Sequence, residues 1–170
     1  MSSSPTLLPV FLAEEEGEAI WYLGGLLTIK VSGATTAGAF DMIEGLMPPG
    51  ATPPPHIHHW FDESFFVLEG SFTLILNGTQ HIAAERGAFV FIPRGTLHSF
   101  RVESTTPGRV LSFTNPTGLS GFFREIGEPA RERTLPPPLP FDPQKVARVA
   151  LKYGTEMPGL AGAPAEHAAR

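Results

Sequence analysis

The chain has no cysteine. That excludes a disulfide framework, a thiolate metal site and a cysteine nucleophile, and leaves His, Asp and Glu to carry any site chemistry. Charge is sparse as well, at 17% of residues with a net −5, and Lys and Arg cluster nowhere. Nucleic acid and anionic membrane surfaces both need a basic patch to release counterions or meet headgroups, so neither is expected as a partner. No apolar run approaches the length needed to span a membrane. The opening "MSSSPTLLPVFLAEEEGEAI" lacks a basic n-region, and its short apolar stretch is broken by Pro9 and followed by Glu14, Glu15 and Glu16. It does not read as a signal peptide, and a cytoplasmic protein is expected. No internal repeat is present.

What is there is apolar and full of turns: 42% hydrophobic residues with 18 Gly and 18 Pro in 170 residues. This fits one globular domain and is too apolar for a disordered chain. Residues 1–20 read as an N-terminal arm. Over 21–116, short β-branched and aromatic runs alternate with Gly, Pro and Asn: "WYLGGLLTIKV", "AFDMIEGLM", "ESFFVLEG", "SFTLILNG", "TQHIAA", "GAFVFIP", "HSFRVE" and "RVLSFTN". Strands at this spacing predict an all-β, antiparallel sandwich or barrel. Asn77-Gly78 suits a type I′ hairpin turn. From 117 to 157 the pattern turns helical. "TGLSGFFREIGEP" predicts one or two turns with Phe122, Phe123 and Ile126 on a shared face. After the stiff "LPPPLPFDP", a second helix is expected with Asp142 as cap, Pro143 in its first turn and Gly154 as stop. Residues 158–170 are expected to form a loose tail.

The stretch "GATPPPHIHHWFDESFFVLEG" concentrates the chemistry. Alternate strand residues share a face, so His56 and His58 point the same way and His59 points away. Glu63 has the opposite parity to His58 and needs a bend or bulge in "HHWFD" to join them. Its own face then carries Phe65 and Val67, and a carboxylate among apolar neighbours is costly to bury without a compensating cation or donor. In "GAFVFIPRGTLHSFRV", His98 opens a face shared with Phe100 and Val102. Together His56, His58, Glu63 and His98 form a donor set suited to one divalent transition metal: Fe, Mn, Ni, Co, Cu or Zn. Such an ion, holding four protein ligands, keeps positions for water or substrate. His81 is expected to face solvent and His167 falls in the tail.

The first stretch matches the cupin motif G(X)5HXH(X)4E(X)6G through Gly50, His56, His58, Glu63 and Gly70. The second resembles the cupin motif G(X)5PXG(X)2H(X)3N through Gly87, Pro93, Gly95 and His98, with Val102 in place of the usual Asn. The resemblance implies a cupin jelly-roll β-barrel with a short C-terminal helical appendage, holding one metal on those four side chains. Beyond the motifs, "WYLGGLLTIKVSGATTAGAFDMIE", "GLSGFFREIGEP" and "FDPQKVARVALKYG" resemble bacterial quercetin dioxygenase-like single-domain cupins. That similarity implies a flavonol bound through a deprotonated hydroxyl on the metal, with Glu63 accepting its proton and O2 opening the ring.

Phe65, Val67, Phe100 and Val102 on the ligand-bearing faces, with Met42 and "GAFVFI", are expected to wall an apolar pocket for a hydrophobic or aromatic substrate. Phe122 and Phe123 are candidates for a lid. A redox-neutral lyase, decarboxylase or isomerase, and a non-catalytic small-molecule binder, stay open as alternatives. A homodimer is expected, the apolar arm covering a sheet edge.

Overall fold

The computed structural model describes residues 7–160. His167 therefore lies outside the described residues. Strands run β1 (Glu18–Tyr22), β2 (Gly25–Val31), β3 (Asp41–Met47), β4 (Ile57–His58), β5 (Asp62–Glu69), β6 (Ser71–Leu76), β7 (Gln80–Glu85), β8 (Phe89–Ile92), β9 (His98–Val102) and β10 (Gly108–Asn115). Helix α1 (Leu119–Ile126), strand β11 (Glu128–Pro129), helix α2 (Pro143–Lys152) and strand β12 (Thr155–Glu156) follow. The first strand thus begins ahead of Trp21, inside the stretch read as an arm.

All strand pairs are antiparallel. A seven-stranded sheet in the order β11-β1-β2-β3-β10-β5-β8 faces a three-stranded sheet β7-β6-β9, and β12 pairs with the short β4. The chain changes sheets at "LEGSF" and at "AERGAF", through Gly70 (φ +79°) and Gly87 (φ +89°). A Cβ on Gly70 would meet Ser104 Oγ at 2.7 Å, so both the left-handed backbone and the close approach require glycine there. The β6–β7 turn forms over Asn77 and Gly78, both with positive φ, and is closed by Thr79 N–H on the Leu76 carbonyl at 3.2 Å.

The alternation read from the sequence sets two apolar cores. One lies between the sheets, where Phe65, Val67 and Val110 of the large sheet meet Phe72, Leu74, Ala84 and Val102 of the small one. The other lies beneath the helices, where Ile20, Leu27, Ile29, Ile43 and Phe61 meet Leu119, Phe122, Val146, Val149 and Ala150. Helix α2 is capped as its sequence predicts, with Asp142 Oδ1 accepting from Lys145 N–H at 3.0 Å. The C-terminal segment is stitched into the sheets at two places, β11 on β1 and β12 on β4.

Asp41 secures the entry to α1. Its fully buried carboxylate accepts from the backbone N–H groups of Gly33 (2.9 Å), Gly118 (2.8 Å) and Ser120 (3.0 Å) and from the hydroxyls of Thr117 (2.5 Å) and Ser120 (2.9 Å). Burial opposes its ionised form, but the bonds from Ser120, Thr117 and Gly118 outweigh that and hold the carboxyl below its ordinary range. No helix among the described residues is long and apolar enough to cross a membrane.

Candidate metal centre

Four side chains meet where the two cores join. One ligand atom from each of His56, His58, Glu63 and His98 lies within 4.8 Å of the others. The backbone brings them there by three devices. His56 and His98 form a reciprocal bridge, each N–H donating to the other's carbonyl at 2.9 Å, which sets their side chains next to each other across the strands. The chain then breaks after His58 instead of bulging. It bends through His59 and Trp60 and restarts as β5 in the other sheet, which resets the parity and turns Glu63 inward. The turn at Pro93-Arg94-Gly95 locks that break. Gly95 N–H donates to the His58 carbonyl at 2.7 Å, and Arg94 Nε and Nη2 grip the two Asp62 carboxylate oxygens at 3.0 Å each.

The proline run has a similar task. The Pro54 carbonyl accepts from His56 Nδ1 at 2.8 Å, and the Pro53 carbonyl accepts from Ser99 Oγ at 2.7 Å. His98 Nδ1 donates to the Thr96 carbonyl at 2.9 Å, and His58 Nδ1 bonds Thr155 Oγ1 at 2.8 Å. With each Nδ1 so engaged, all three imidazoles turn Nε2 toward the cluster. Glu63 Oε1 accepts from Ser112 Oγ at 2.8 Å, leaving Oε2 to face His58 Nε2 at 3.0 Å and His98 Nε2 at 3.2 Å.

These bonds test whether a metal fits. A carbonyl only accepts, so His56 and His98 carry their proton on Nδ1 and, when neutral, present a bare lone pair at Nε2. A lone pair facing a carboxylate oxygen at about hydrogen-bond distance is repulsive unless a proton or a cation lies between them. Three imidazole nitrogens and a carboxylate oxygen suit a divalent first-row ion, so the set fits the metal its residue types imply.

The electrostatics agree. Burial drives His56 down to about 3, helped by His98 and His58, so it stays neutral and ligand-competent at physiological pH. Glu63 is only 3% exposed. Burial opposes its charge, yet the bonds to His58 and His98 prevail and hold it well below the carboxylate range. Burial likewise opposes charging His98, and the bond to Glu63 raises its pKa in spite of that.

An apolar cavity opens beside the cluster. Phe65, Phe100, Phe122 and Phe123 line it, together with Ile43, Met47, Val110, Leu119 and Met157, and His56, His58 and Glu63 form its polar wall. His98 does not line it. Three residues expected in the wall lie elsewhere. Val67 and Val102 share the ligand-bearing faces but sit further along their strands, packed between the sheets. Met42 has the wrong parity: Ile43 and Gly45 line the cavity, so Met42 belongs to the opposite face of β3 with Glu44. In "GAFVFI", Phe89 and Phe91 point outward, 65% and 56% exposed. His59 is outside as well, bonded to Glu156 at 2.9 Å, and His81 is exposed.

Ser112 and Thr155 escaped sequence reasoning. Ser112 shares the inward face of β10 with Val110 and Thr114, a polar residue that parity alone could have flagged. Thr155 lies 97 residues from His58, and nothing local marks it.

A model of the cupin domain matches residues 43–114. Over 129 residues the chain is 29% identical to quercetin 2,3-dioxygenase of Bacillus subtilis (strain 168), a match covering 76% of this chain and 38% of that protein. Over 91 residues it is 32% identical to the tetracenomycin polyketide synthase protein TcmJ of Streptomyces glaucescens, covering 54% of this chain and 58% of the relative. The chain thus spans well under two thirds of the length of these curated relatives. Among solved structures, KdgF from Halomonas sp. superposes with a TM-score of 0.57 at 18% identity, covering 66% of this chain and 99% of that one. That likeness is one of fold.

Proposed function

Because the chain belongs to the cupin superfamily, whose fold by itself selects no reaction, we propose from its site that it is a cytoplasmic, metal-dependent dioxygenase. Its substrate would be a flavonol or related aromatic enol, taken with O2. The observation that carries this reading is the junction of a donor set of three histidines and one glutamate with a cavity whose remaining wall is mostly aromatic and aliphatic. The partial identity to quercetin 2,3-dioxygenase supports it. A divalent ion held by His56, His58, Glu63 and His98 would supply Lewis acidity toward an enol oxygen and redox capacity toward O2.

The protein's own groups have distinct tasks. Glu63 takes the proton of the substrate hydroxyl; Ser112 donates to Oε1 and fixes the carboxylate with Oε2 toward His58 and His98. Phe65 and Phe100, in edge contact at 6.1 Å, flank a flat ring system, and Phe122 and Phe123 cover it from α1. The apolar wall would disfavour water beside the bound substrate.

Oxygen uptake with a flavonol panel tests the proposal, the protein being reconstituted with one metal at a time. Uptake matched to flavonol loss is expected with at least one metal, and is expected to vanish in Glu63→Ala. Absence of uptake with every metal rejects the dioxygenase. The same ion acting as a Lewis acid alone gives a second reading, a redox-neutral lyase, decarboxylase or isomerase, and similarity to a polyketide synthase protein makes a polyketide its candidate substrate. Product formed without O2 consumption would select it, and binding without product would select a non-catalytic role.

A further inference from the structure

Tyr22 ends β1 on the same inward face as Ile20 and lines the cavity beside the metal ligands. Its ring is wedged against Phe122 at 5.6 Å, edge-on, and against Phe123 at 5.4 Å. The hydroxyl is buried and finds no hydrogen-bond partner among the described residues. A buried, unpaired hydroxyl costs stability, and buried tyrosine hydroxyls ordinarily find partners. Every other hydroxyl on the cavity wall is engaged: Thr52 with the Phe100 carbonyl, Ser112 with Glu63, and Thr155 with His58.

We propose that the Tyr22 hydroxyl is a substrate-recognition group, donating a hydrogen bond to a hydroxyl on the ligand's fused or pendant ring, remote from the enol oxygen and neighbouring carbonyl at the His/Glu cluster. The inference rests on the cavity being the substrate site, as proposed above, and adds a requirement on the substrate. It must be a flat apolar body with oxygen functions at two separate points, one for the cluster and one for Tyr22. Burial pushes the Tyr22 hydroxyl up from its ordinary value, so it stays protonated and serves as donor. Its packing against two phenylalanines fixes where the donor sits, which is what makes a single hydrogen bond selective for position. A site built to bond one oxygen discriminates against the analogue that lacks it, because its own polar group is then left unpaired.

The test measures binding of 3-hydroxyflavone, and of isomers with one added hydroxyl on the fused or on the pendant ring, to anaerobic metal-loaded protein. Wild type is expected to bind one added-hydroxyl isomer about tenfold tighter than 3-hydroxyflavone, in line with one buried neutral hydrogen bond. Tyr22→Phe is expected to bring that ratio close to one with metal content unchanged. Its ligand-free Tm should equal or exceed wild type, since an unpaired buried hydroxyl has been removed. A preserved ratio in Tyr22→Phe, or no preference in wild type that nonetheless binds, overturns the proposal and leaves the dioxygenase reading standing. A fall in Tm also overturns it, by revealing a structural partner. Failure of every flavonol to bind wild type overturns the flavonol reading itself, and this inference with it.

Discussion

At the scale of single residues, the cluster is organised by atoms that never touch its centre. Pro54 and Thr96 carbonyls select the Nδ1–H tautomer of His56 and His98, and Ser112 fixes the Glu63 carboxylate. His98, whose pKa stands above its ordinary value beside Glu63, takes up a proton in the metal-free protein and must release it to bind an ion. The sign follows from that. Proton release on metal binding should be substantial near pH 6 and shrink as pH rises through the raised His98 value, with affinity climbing over the same interval. Calorimetry in buffers of different ionisation enthalpy reads both. His56 works in the opposite direction. Its folded pKa, about 3, lies below the unfolded value, so its contribution to stability is present above about 6.5 and is lost progressively as pH falls toward 3. Ser112→Ala should retain metal yet lower kcat by roughly 10–100-fold, the usual effect of removing a partner that orients a ligand. Metal analysis beside steady-state kinetics separates that from loss of the ion. The ligand set was legible at this scale, because motif spacing and strand parity are local. Thr155 and Tyr22 were not, because their relation to the site arises only when distant segments pack.

At the scale of elements, α1 is the piece on which access to the cavity depends, and Asp41 holds it. The carboxylate binds the loop at Gly33 and the α1 entry at Thr117, Gly118 and Ser120, tying β3 to a helix that starts 78 residues later. Asp41→Ala leaves these buried donors unpaired and should cost about 3–5 kcal/mol, the range for breaking a buried charge network. Urea unfolding measures it. Since the folded pKa of Asp41 is depressed, its contribution is present above the unfolded value of about 3.9 and fades as pH falls through the folded one. Both helices were foreseen, α1 from its apolar stripe and α2 from its stripe and its Asp142 cap. The short strands β11 and β12 were not: two residues each, they exist only because β1 and β4 offer partners. The bend expected in "HHWFD" is present at His59 and Trp60, but that it carries the chain from one sheet to another was not legible.

For the whole molecule, β8 forms one edge of the seven-stranded sheet, and there Phe66, Phe89 and Phe91 share an outward face. An open edge with three exposed phenylalanines attracts another strand or sheet. The chain itself carries matching apolar surface in Leu7, Leu8, Val10 and Phe11 of its extended N-terminal segment, all exposed. A second copy exchanging that segment across the β8 edge is the occupant we propose. Wild type should sediment as a dimer, and Phe89→Asp with Phe91→Asp as a monomer with its metal content intact. A monomeric wild type at about 100 µM, where even a micromolar interface would be filled, would remove the proposal. By itself the sequence determined the strand alternation, the two helices and the four metal-binding candidates, since each is written in neighbouring residues and in the periods of 2 and 3.6. Only the tertiary structure decided which inward residues wall the cavity and which pack between the sheets, that Ser112 and Thr155 brace the ligands, and that Tyr22 keeps a buried donor unpaired. Parity assigns a side chain to a face, but what that face meets depends on contacts such as His58 with Thr155, 97 residues apart, which no local pattern encodes.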